Sequence, residues 1–174
     1  MEKKSTGDTL RIRISQLSNG VHKYHLTGNP SQVGLDDRFT RPVNVDAELD
    51  KTPGQVYLNV RLATSGKFQC DRCIAEFERE LTASYSALYV YETPAQQGAQ
   101  ADDVRVITPD TAHLDLTEDV REMILLAVPL KLLCKEECRG LCPTCGTDWN
   151  TASCSCKDSA IDSRWQGLEG LLKN

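Results

Sequence analysis

The sequence has no long apolar run. No window of its 174 residues approaches the roughly 18 consecutive apolar residues that a membrane span needs. The opening residues, MEKKSTGDTLRIRIS, include two lysines but no apolar segment behind them, so they do not predict a secretory signal. We therefore expect a cytoplasmic protein without a membrane partner, in a compartment where thiols stay reduced.

Basic charge and histidine are also scarce. Lysine and arginine total 20 against 25 acidic residues, a net charge of −5. Because non-specific nucleic-acid affinity comes mainly from basic side chains that neutralise phosphates, this balance argues against a generic polyanion binder and confines any RNA contact to a local surface. The three histidines, His22, His25 and His113, are expected at surface or strand positions and not as metal ligands.

Cysteine, in contrast, is abundant and clustered. Six of the eight cysteines fall in residues 134–156, where Leu141 and Trp149 are the main apolar side chains. The gaps are short, and a short gap supplies two tetrahedral zinc ligands from one turn at little cost in loop closure. The sequence therefore predicts two structural Zn²⁺ ions bound by Cys70, Cys73, Cys134, Cys138, Cys142, Cys145, Cys154 and Cys156.

Spacing alone leaves the division of these ligands between the two ions open. The most economical division gives residues 142, 145, 154 and 156 one local site and joins residues 70 and 73 to residues 134 and 138 in another. The six clustered cysteines lie in a segment with little apolar burial to offset the backbone entropy that ordering it costs. A structural zinc supplies binding free energy that offsets this cost.

Enzymatic interpretations of the same cysteines fit poorly. The C-x3-C-x2-C spacing at 138–145 is used by radical enzymes with an iron–sulfur cluster, but too few residues follow it here for their barrel domain. The zinc deaminases need H-x-E and P-C-x-x-C, and this chain lacks both the glutamate and the preceding proline. A dithiol reductase needs an exposed C-x-x-C at a helix start. We predict a non-enzymatic protein without a small-molecule substrate.

The remaining patterns predict an α+β fold. Alternating apolar residues indicate strands at 10–14, 43–49, 56–62 and 77–91, with the second and third paired as a hairpin, and a short strand at 113–116. A helical stripe predicts one main helix at 117–128 with Thr117 as N-cap, and a short helix at 161–172. Residues 28–38 and 93–103 are predicted to be loops.

These elements predict a mostly antiparallel sheet with one main helix and a zinc-knuckle C-terminal region. We expect residues 1–133 to form a β-rich body with one helix. Residues 134–174 are expected to form a cysteine-rich zinc-binding tail that packs on this body.

The order of these motifs resembles the YceD family, the large ribosomal RNA subunit accumulation proteins, in a cysteine-rich form. The resemblance covers residues 10–172 and rests on C-D-R-C-I at 70–74, D-L-T-E-D-V-R-E-M-I-L-L-A-V-P-L-K at 115–131 and C-R-G-L-C-P-T-C-G at 138–146. It implies that Cys70, Cys73, Cys142 and Cys145 are the family's motif cysteines.

The resemblance also implies a function. It implies a ribosome biogenesis factor that supports accumulation or processing of the large-subunit (23S) ribosomal RNA. The implied partners are the large-subunit rRNA precursor or pre-50S particle and a large-subunit ribosomal protein.

Basic residues near the cysteine motifs are the candidate RNA or partner contacts: Arg72, Lys131, Lys135 and Arg139. Glu136 and Glu137 interleave with them, so a solvated surface of mixed charge is an equal interpretation. The alternative function is a zinc-stabilised protein-binding module that acts without direct RNA contact.

Overall fold

The computed structural model describes residues 10–91 and 104–156, together with the backbone of residues 3–4. The chain divides into two compact units, Met1–Phe68 with Glu76–Lys131 and Gln69–Ala75 with Leu132–Asn174. Residues 69–75 thus group with the second unit, whereas the sequence-based boundary after residue 133 assigned them to the body. The packing of the tail on the body stays a prediction. Neither helix in the described ranges has the length and apolar character of a membrane span.

The described elements are mostly strands. In chain order they are β1 (Lys3–Lys4), β2 (Arg11–Arg13), β3 (Gly20–Gly28), α1 (Pro30–Val33), β4 (Val43–Lys51), β5 (Gln55–Gln69), β6 (Glu76–Tyr91), β7 (Val104–Ile107), β8 (His113–Asp115) and α2 (Thr117–Ala127). One sheet has the order β1-β3-β4-β5-β6-β7, and β2 and β8 form a second, two-stranded sheet. The predicted α+β class with one main helix is confirmed.

Strict alternation fixes the centre of the large sheet. On β4 the buried residues begin at Val43 and recur at every second position to Leu49, and β5 continues the pattern from Val56 to Leu62. The two strands pair antiparallel with Leu49 opposite Leu58, so the predicted hairpin is confirmed. A slip of one residue would turn these side chains toward water, which specifies the register strongly.

The main helix and the small sheet supply further buried side chains of the first unit. Ile12 on β2 lies opposite Leu114 on β8, and both are buried. On α2, Val120 and Ile124 are buried one turn apart, as the predicted apolar stripe requires. The six-stranded sheet is mixed, because β1 pairs with β3 and β6 pairs with β7 in parallel, while β3, β4 and β5 pair antiparallel.

Three local expectations differ from the structure. Strand β3 was not predicted, because only its second half alternates between exposed and buried residues. The predicted loop at 28–38 contains the single turn α1, with Pro30 in its first turn and Gly34 at its C-cap. The N-cap of α2 is Leu116, not Thr117, and the Asp115 carboxylate accepts the Thr117 N–H at 3.0 Å.

Two further expectations fall outside the described residues: the loop at 93–103 and the helix at 161–172.

The element that matters for the site is the connection between the two longest strands. Strand β5 ends at Gln69 and β6 begins at Glu76. The predicted C-D-R-C turn therefore falls between two strands, as the alternation indicated.

Candidate metal centre

The eight cysteines form two groups within the second unit. The first set is Cys70, Cys73, Cys134 and Cys138, and the second set is Cys142, Cys145, Cys154 and Cys156. In each set the four sulfur atoms all lie within 4.8 Å of one another. This is the division that the spacing favoured. The first set is mostly buried, whereas two cysteines of the second set are exposed.

The sulfur separations fit a tetrahedral ion. Zinc–sulfur bonds of about 2.3 Å place tetrahedral ligands about 3.8 Å apart. The Sγ atoms of Cys70 and Cys138 lie 3.7 Å apart, and those of Cys73 and Cys134 lie 3.6 Å apart. A disulfide needs about 2.05 Å. Four thiol donors at these separations suit a thiophilic divalent ion such as Zn²⁺, so each set could hold one.

Both C-x2-C turns use the same backbone scaffold. The Cys70 N–H donates to Ala75 O at 2.9 Å, and the Ile74 N–H donates back to Cys70 O at 2.9 Å. In the second set the Cys142 N–H donates to Thr147 O and the Gly146 N–H donates to Cys142 O, again at 2.9 Å. In both turns the first cysteine donates to the carbonyl five residues later and accepts from the N–H four residues later. The chain therefore carries two copies of one knuckle.

The residue after each knuckle has a positive φ. Gly146 adopts φ 74° without steric cost, but the equivalent position in the first knuckle is Ile74 at φ 63°. A β-branched residue is rare in this region and is disfavoured there by contact of its Cβ with the backbone. The side chain of Ile74 is 57% exposed, so burial compensates little of this strain.

Hydrogen bonds join the first knuckle to the segment that begins at Leu132. The Leu132 N–H donates to the Asp71 carboxylate at 2.6 Å, and the Asp71 N–H donates to Leu132 O at 2.8 Å. The Arg72 guanidinium donates to Cys138 O at 2.7 Å. A Cβ on Gly140, which has φ 77°, would lie 3.1 Å from Arg72 O. These contacts bring residues distant in sequence together independently of an ion.

Hydrogen bonds and burial give the thiols of the first set different pKa values. Burial raises the pKa of Cys70, but hydrogen bonds from the backbone, first from Cys134 and then from Cys73 and Arg72, outweigh it and lower that pKa to about 6. Burial and the neighbouring sulfurs raise the pKa of Cys134 to about 12. Four thiolates so close together repel one another, so only some ionise until a cation offsets their charge.

The second set shows the same division. The Thr147 hydroxyl, 3.1 Å from Cys145 Sγ, and the Thr147 backbone lower the pKa of Cys145 to about 6. The neighbouring Cys145 sulfur and burial raise the pKa of Cys156 to about 12. A divalent cation is the group that would hold all four sulfurs as thiolates at neutral pH.

Sequence reasoning missed the polar groups that surround the sulfurs. The Trp149 indole N–H donates to Cys154 Sγ and the Asn150 amide donates to Cys138 Sγ, both at 3.4 Å. Thr147 could have been suspected from its position beside the C-x2-C-G turn. Asn150 lies 12 residues from its sulfur, and no local pattern signals that contact.

The predicted contact residues are placed differently from one another. Lys131 belongs to the first unit, whereas Arg72, Lys135 and Arg139 belong to the second. All four are exposed. Arg72 is the one whose guanidinium also hydrogen-bonds to backbone carbonyls, those of Glu136 and Cys138. Their role as RNA or partner contacts stays a prediction.

The fold and the site define an α+β protein with a compact eight-cysteine unit of duplicated knuckles. The family described as "Large ribosomal RNA subunit accumulation protein YceD" matches residues 58–172, a range that includes α2 and all eight cysteines. This chain belongs to the YceD family.

Several bacterial and plant proteins are similar to the chain. The uncharacterised protein YlbN of Bacillus subtilis is 28% identical over 82% of this chain and 81% of its own length. An uncharacterised protein of Mycobacterium tuberculosis is 22% identical over 92% of this chain and 78% of its own. The chloroplastic large ribosomal RNA subunit accumulation protein YCED homolog 1 of Zea mays is 27% identical over 75% of this chain and 52% of its own. No solved structure gives a significant match.

The strained position in the first knuckle gives a test of the turn. Ile74→Gly and Ile74→Ala both remove the exposed side chain, but only glycine relieves the backbone at φ 63°. We expect the glycine variant to exceed the alanine variant by about 1 kcal/mol in free energy of unfolding, measured by denaturant titration of the zinc-loaded chain. The neighbouring Ala75→Gly is the control and should lose about 0.5–1 kcal/mol. Equal stability of the two Ile74 variants would contradict the assigned turn.

The low and high thiol pKa values predict how many protons the chain releases when metal binds. At pH 7 the thiols of Cys134 and Cys156 are protonated and must each release a proton, whereas Cys70 and Cys145, with pKa values of about 6, are mostly ionised already. Between pH 7 and pH 5 the thiols of Cys70 and Cys145 take up protons in the metal-free chain. The number of protons released on saturation with metal should therefore rise by roughly one to two per chain. Metal affinity should therefore fall more steeply with acidification below about pH 6.

Zinc calorimetry in buffers of different ionisation enthalpy measures this proton count. Repeating the titration on Thr147→Val, which removes the hydroxyl beside Cys145, should raise the pKa of that thiol and reduce the rise. A proton count that stays constant from pH 7 to pH 5 would argue against the two low-pKa thiols.

Proposed function

We propose that the chain is a ribosome biogenesis factor that supports accumulation or processing of the large-subunit (23S) ribosomal RNA. Family membership carries this proposal, because the match spans α2 and both knuckles. The relatives with a functional name, from Zea mays and Arabidopsis thaliana, are both called large ribosomal RNA subunit accumulation proteins. The chain acts in the cytoplasm and has no catalytic role of its own.

Two zinc ions serve a structural role in this proposal. The support is the pair of four-sulfur sets, each with sulfur atoms within 4.8 Å, in a segment with few large buried side chains. Cys138 and Cys142 are buried, and most of the residues next to them in the sequence have short or polar side chains. Bound zinc supplies the folding free energy that such a segment cannot gain from apolar burial.

The contacts with RNA come from basic side chains of the cysteine-rich unit. Lys135 and Arg139 are exposed and flank the buried Cys138, so zinc binding would fix the backbone from which they extend. Lys131 immediately precedes, in the sequence, the segment of this unit that begins at Leu132. Arg72 donates two hydrogen bonds from one nitrogen and keeps other N–H groups for a phosphate.

A protein-binding module without RNA contact is the second candidate. It is favoured by Glu136 and Glu137, which are exposed beside Lys135, and by the net charge of −5. Such a surface of mixed charge suits a protein partner such as a large-subunit ribosomal protein.

Ribosome profiles test the function directly. In a strain lacking the gene we expect a reduced 50S peak and less 23S RNA relative to 16S RNA, and the protein should co-sediment with pre-50S particles. The charge-reversal variant Lys135→Glu/Arg139→Glu should restore little of the 23S RNA. The matched variant Arg61→Glu/Lys67→Glu, which changes the same charge on exposed residues of β5, should restore it fully. An unchanged profile in the deletion strain would refute the role in rRNA accumulation.

Salt and nuclease separate the two candidates. Binding to RNA should weaken steeply with added salt, and the double charge reversal should reduce the slope of log affinity against log salt by about 2. Binding that survives nuclease and depends little on salt would favour the protein-binding module.

Metal analysis tests the structural role of zinc. The purified chain should contain about two zinc ions, one for each set of four sulfurs. Removal by a chelator should unfold residues 132–156, detected as rapid amide hydrogen exchange there, while the central strands β4 and β5 stay protected. A chain whose exchange is unchanged after zinc removal would contradict the structural role.

A further inference from the structure

Two adjacent residues each reach a sulfur atom of a different cysteine set. The Trp149 indole Nε1–H donates to Cys154 Sγ in the second set, at 3.4 Å. The next residue, Asn150, donates its Nδ2–H to Cys138 Sγ in the first set, also at 3.4 Å. Trp149 and Asn150 are neither predicted ligands nor members of either set. One short loop therefore contacts both candidate metal sites.

The loop is held between the two sets by the Trp149 backbone N–H and the Asn150 side-chain oxygen. The Trp149 N–H donates to Gly140 O at 3.0 Å, in the segment that joins Cys138 to Cys142. The Arg139 N–H donates to Asn150 Oδ1 at 3.0 Å. The Asn150 amide is thus oriented at both ends, because its oxygen accepts from the backbone beside the sulfur that its nitrogen contacts.

The second set closes this same loop. Residues 146–153 connect Cys145 to Cys154, two members of the second set. A metal ion bound there would join the ends of the loop and reduce its freedom. The loop itself is anchored by Asp148, whose carboxylate accepts from the Asn150 N–H at 2.9 Å and from Nδ2 at 2.7 Å. Ordering the loop therefore orders the Asn150 amide.

Donors to metal-bound sulfur affect metal affinity. A thiolate that ligates zinc carries negative charge and is stabilised by N–H groups directed at it. Filling the second set would hold the Asn150 donor on Cys138 before the first ion arrives. Filling the first set would, in turn, fix the loop that the second set must close, because coupling between two binding sites is reciprocal.

We propose that Asn150 couples the two metal sites, so that occupancy of the second set raises the metal affinity of the first. The coupling rests on the proposed pair of metal sites. Asn150 is a positioning residue, and the hydrogen bond from its amide to Cys138 Sγ transmits the effect. The Trp149 indole N–H likewise donates to a sulfur, Cys154 Sγ of the second set.

The test is a double-mutant cycle with cadmium as the probe. ¹¹³Cd NMR of the full chain, in competition with a chelator, reports the occupancy of each set as a separate resonance. Cys145→Ser/Cys156→Ser disables the second set and assigns its resonance by loss. The cadmium affinity of the first set is then compared with and without this change, in chains that carry Asn150 or Asn150→Ala.

We expect disabling the second set to lower the cadmium affinity of the first about 10-fold when Asn150 is present. With Asn150→Ala the decrease should be less than about twofold. Thr151→Ala is the matched control, because Thr151 lies in the same loop and its hydroxyl donates to Asp148 O without reaching a sulfur. This control should keep the full 10-fold effect.

Asn150→Asp covers the case in which the alanine variant does not fold. It keeps an oxygen for the Arg139 N–H but replaces the donor with a negatively charged acceptor, and should likewise abolish the coupling. An equal decrease with and without Asn150, or no decrease at all, would overturn the proposal. A chain that binds fewer than two ions in its unmodified form would instead refute the pair of metal sites, which is a distinguishable outcome.

Discussion

Four sulfur atoms within 4.8 Å cannot all carry charge unless a cation lies among them, and this constraint governs the second unit. In each set it separates the thiols into some that ionise readily and others that resist ionisation. Burial and neighbouring sulfur raise the pKa of Cys134 and Cys156, while N–H and hydroxyl donors lower that of Cys70 and Cys145. A divalent ion removes the conflict by favouring the thiolate at every position. The donors that favour thiolates are then already in place.

The duplicated knuckle serves two different purposes. In the second set all four cysteines lie within 15 residues, so its loop is short and local. In the first set, Cys73 and Cys134 are 61 residues apart. Since the entropic cost of closing a loop grows only slowly with its length, the long connection adds little cost. The reciprocal bonds between Asp71 and Leu132 bring these segments together through neutral and charge-assisted hydrogen bonds. An ion bound by the first set would add to these hydrogen bonds in joining the two segments.

Local patterns were enough to predict most of the fold. The alternation from Val43 to Leu62 predicted the central hairpin, and the stripe through Val120 and Ile124 predicted α2. Strand β3 escaped because Tyr24 and Leu26 are its only large buried residues. The cysteine spacing predicted the division of the sulfurs because each C-x2-C pair supplies neighbouring donors. It could not predict Asn150 or the Arg72 contact with Cys138 O, because these depend on how distant loops meet.

The contacts of Arg72 bear on where the chain could meet RNA. Its guanidinium donates to Cys138 O at 2.7 Å, and its own carbonyl accepts from the Leu141 N–H, so both ends of the residue stabilise the first set. Substituting Arg72 would therefore disturb the site as well as any phosphate contact, and the loss could not be assigned to either. Lys135 and Arg139 are free of this ambiguity as side chains, because within the described residues only their backbones are engaged. The Lys135 carbonyl accepts from the Cys138 N–H at 3.1 Å, and the Arg139 N–H donates to Asn150 Oδ1. Charge at these two positions can change while the sulfur sets keep their donors, so they are the residues on which a direct RNA contact can be judged.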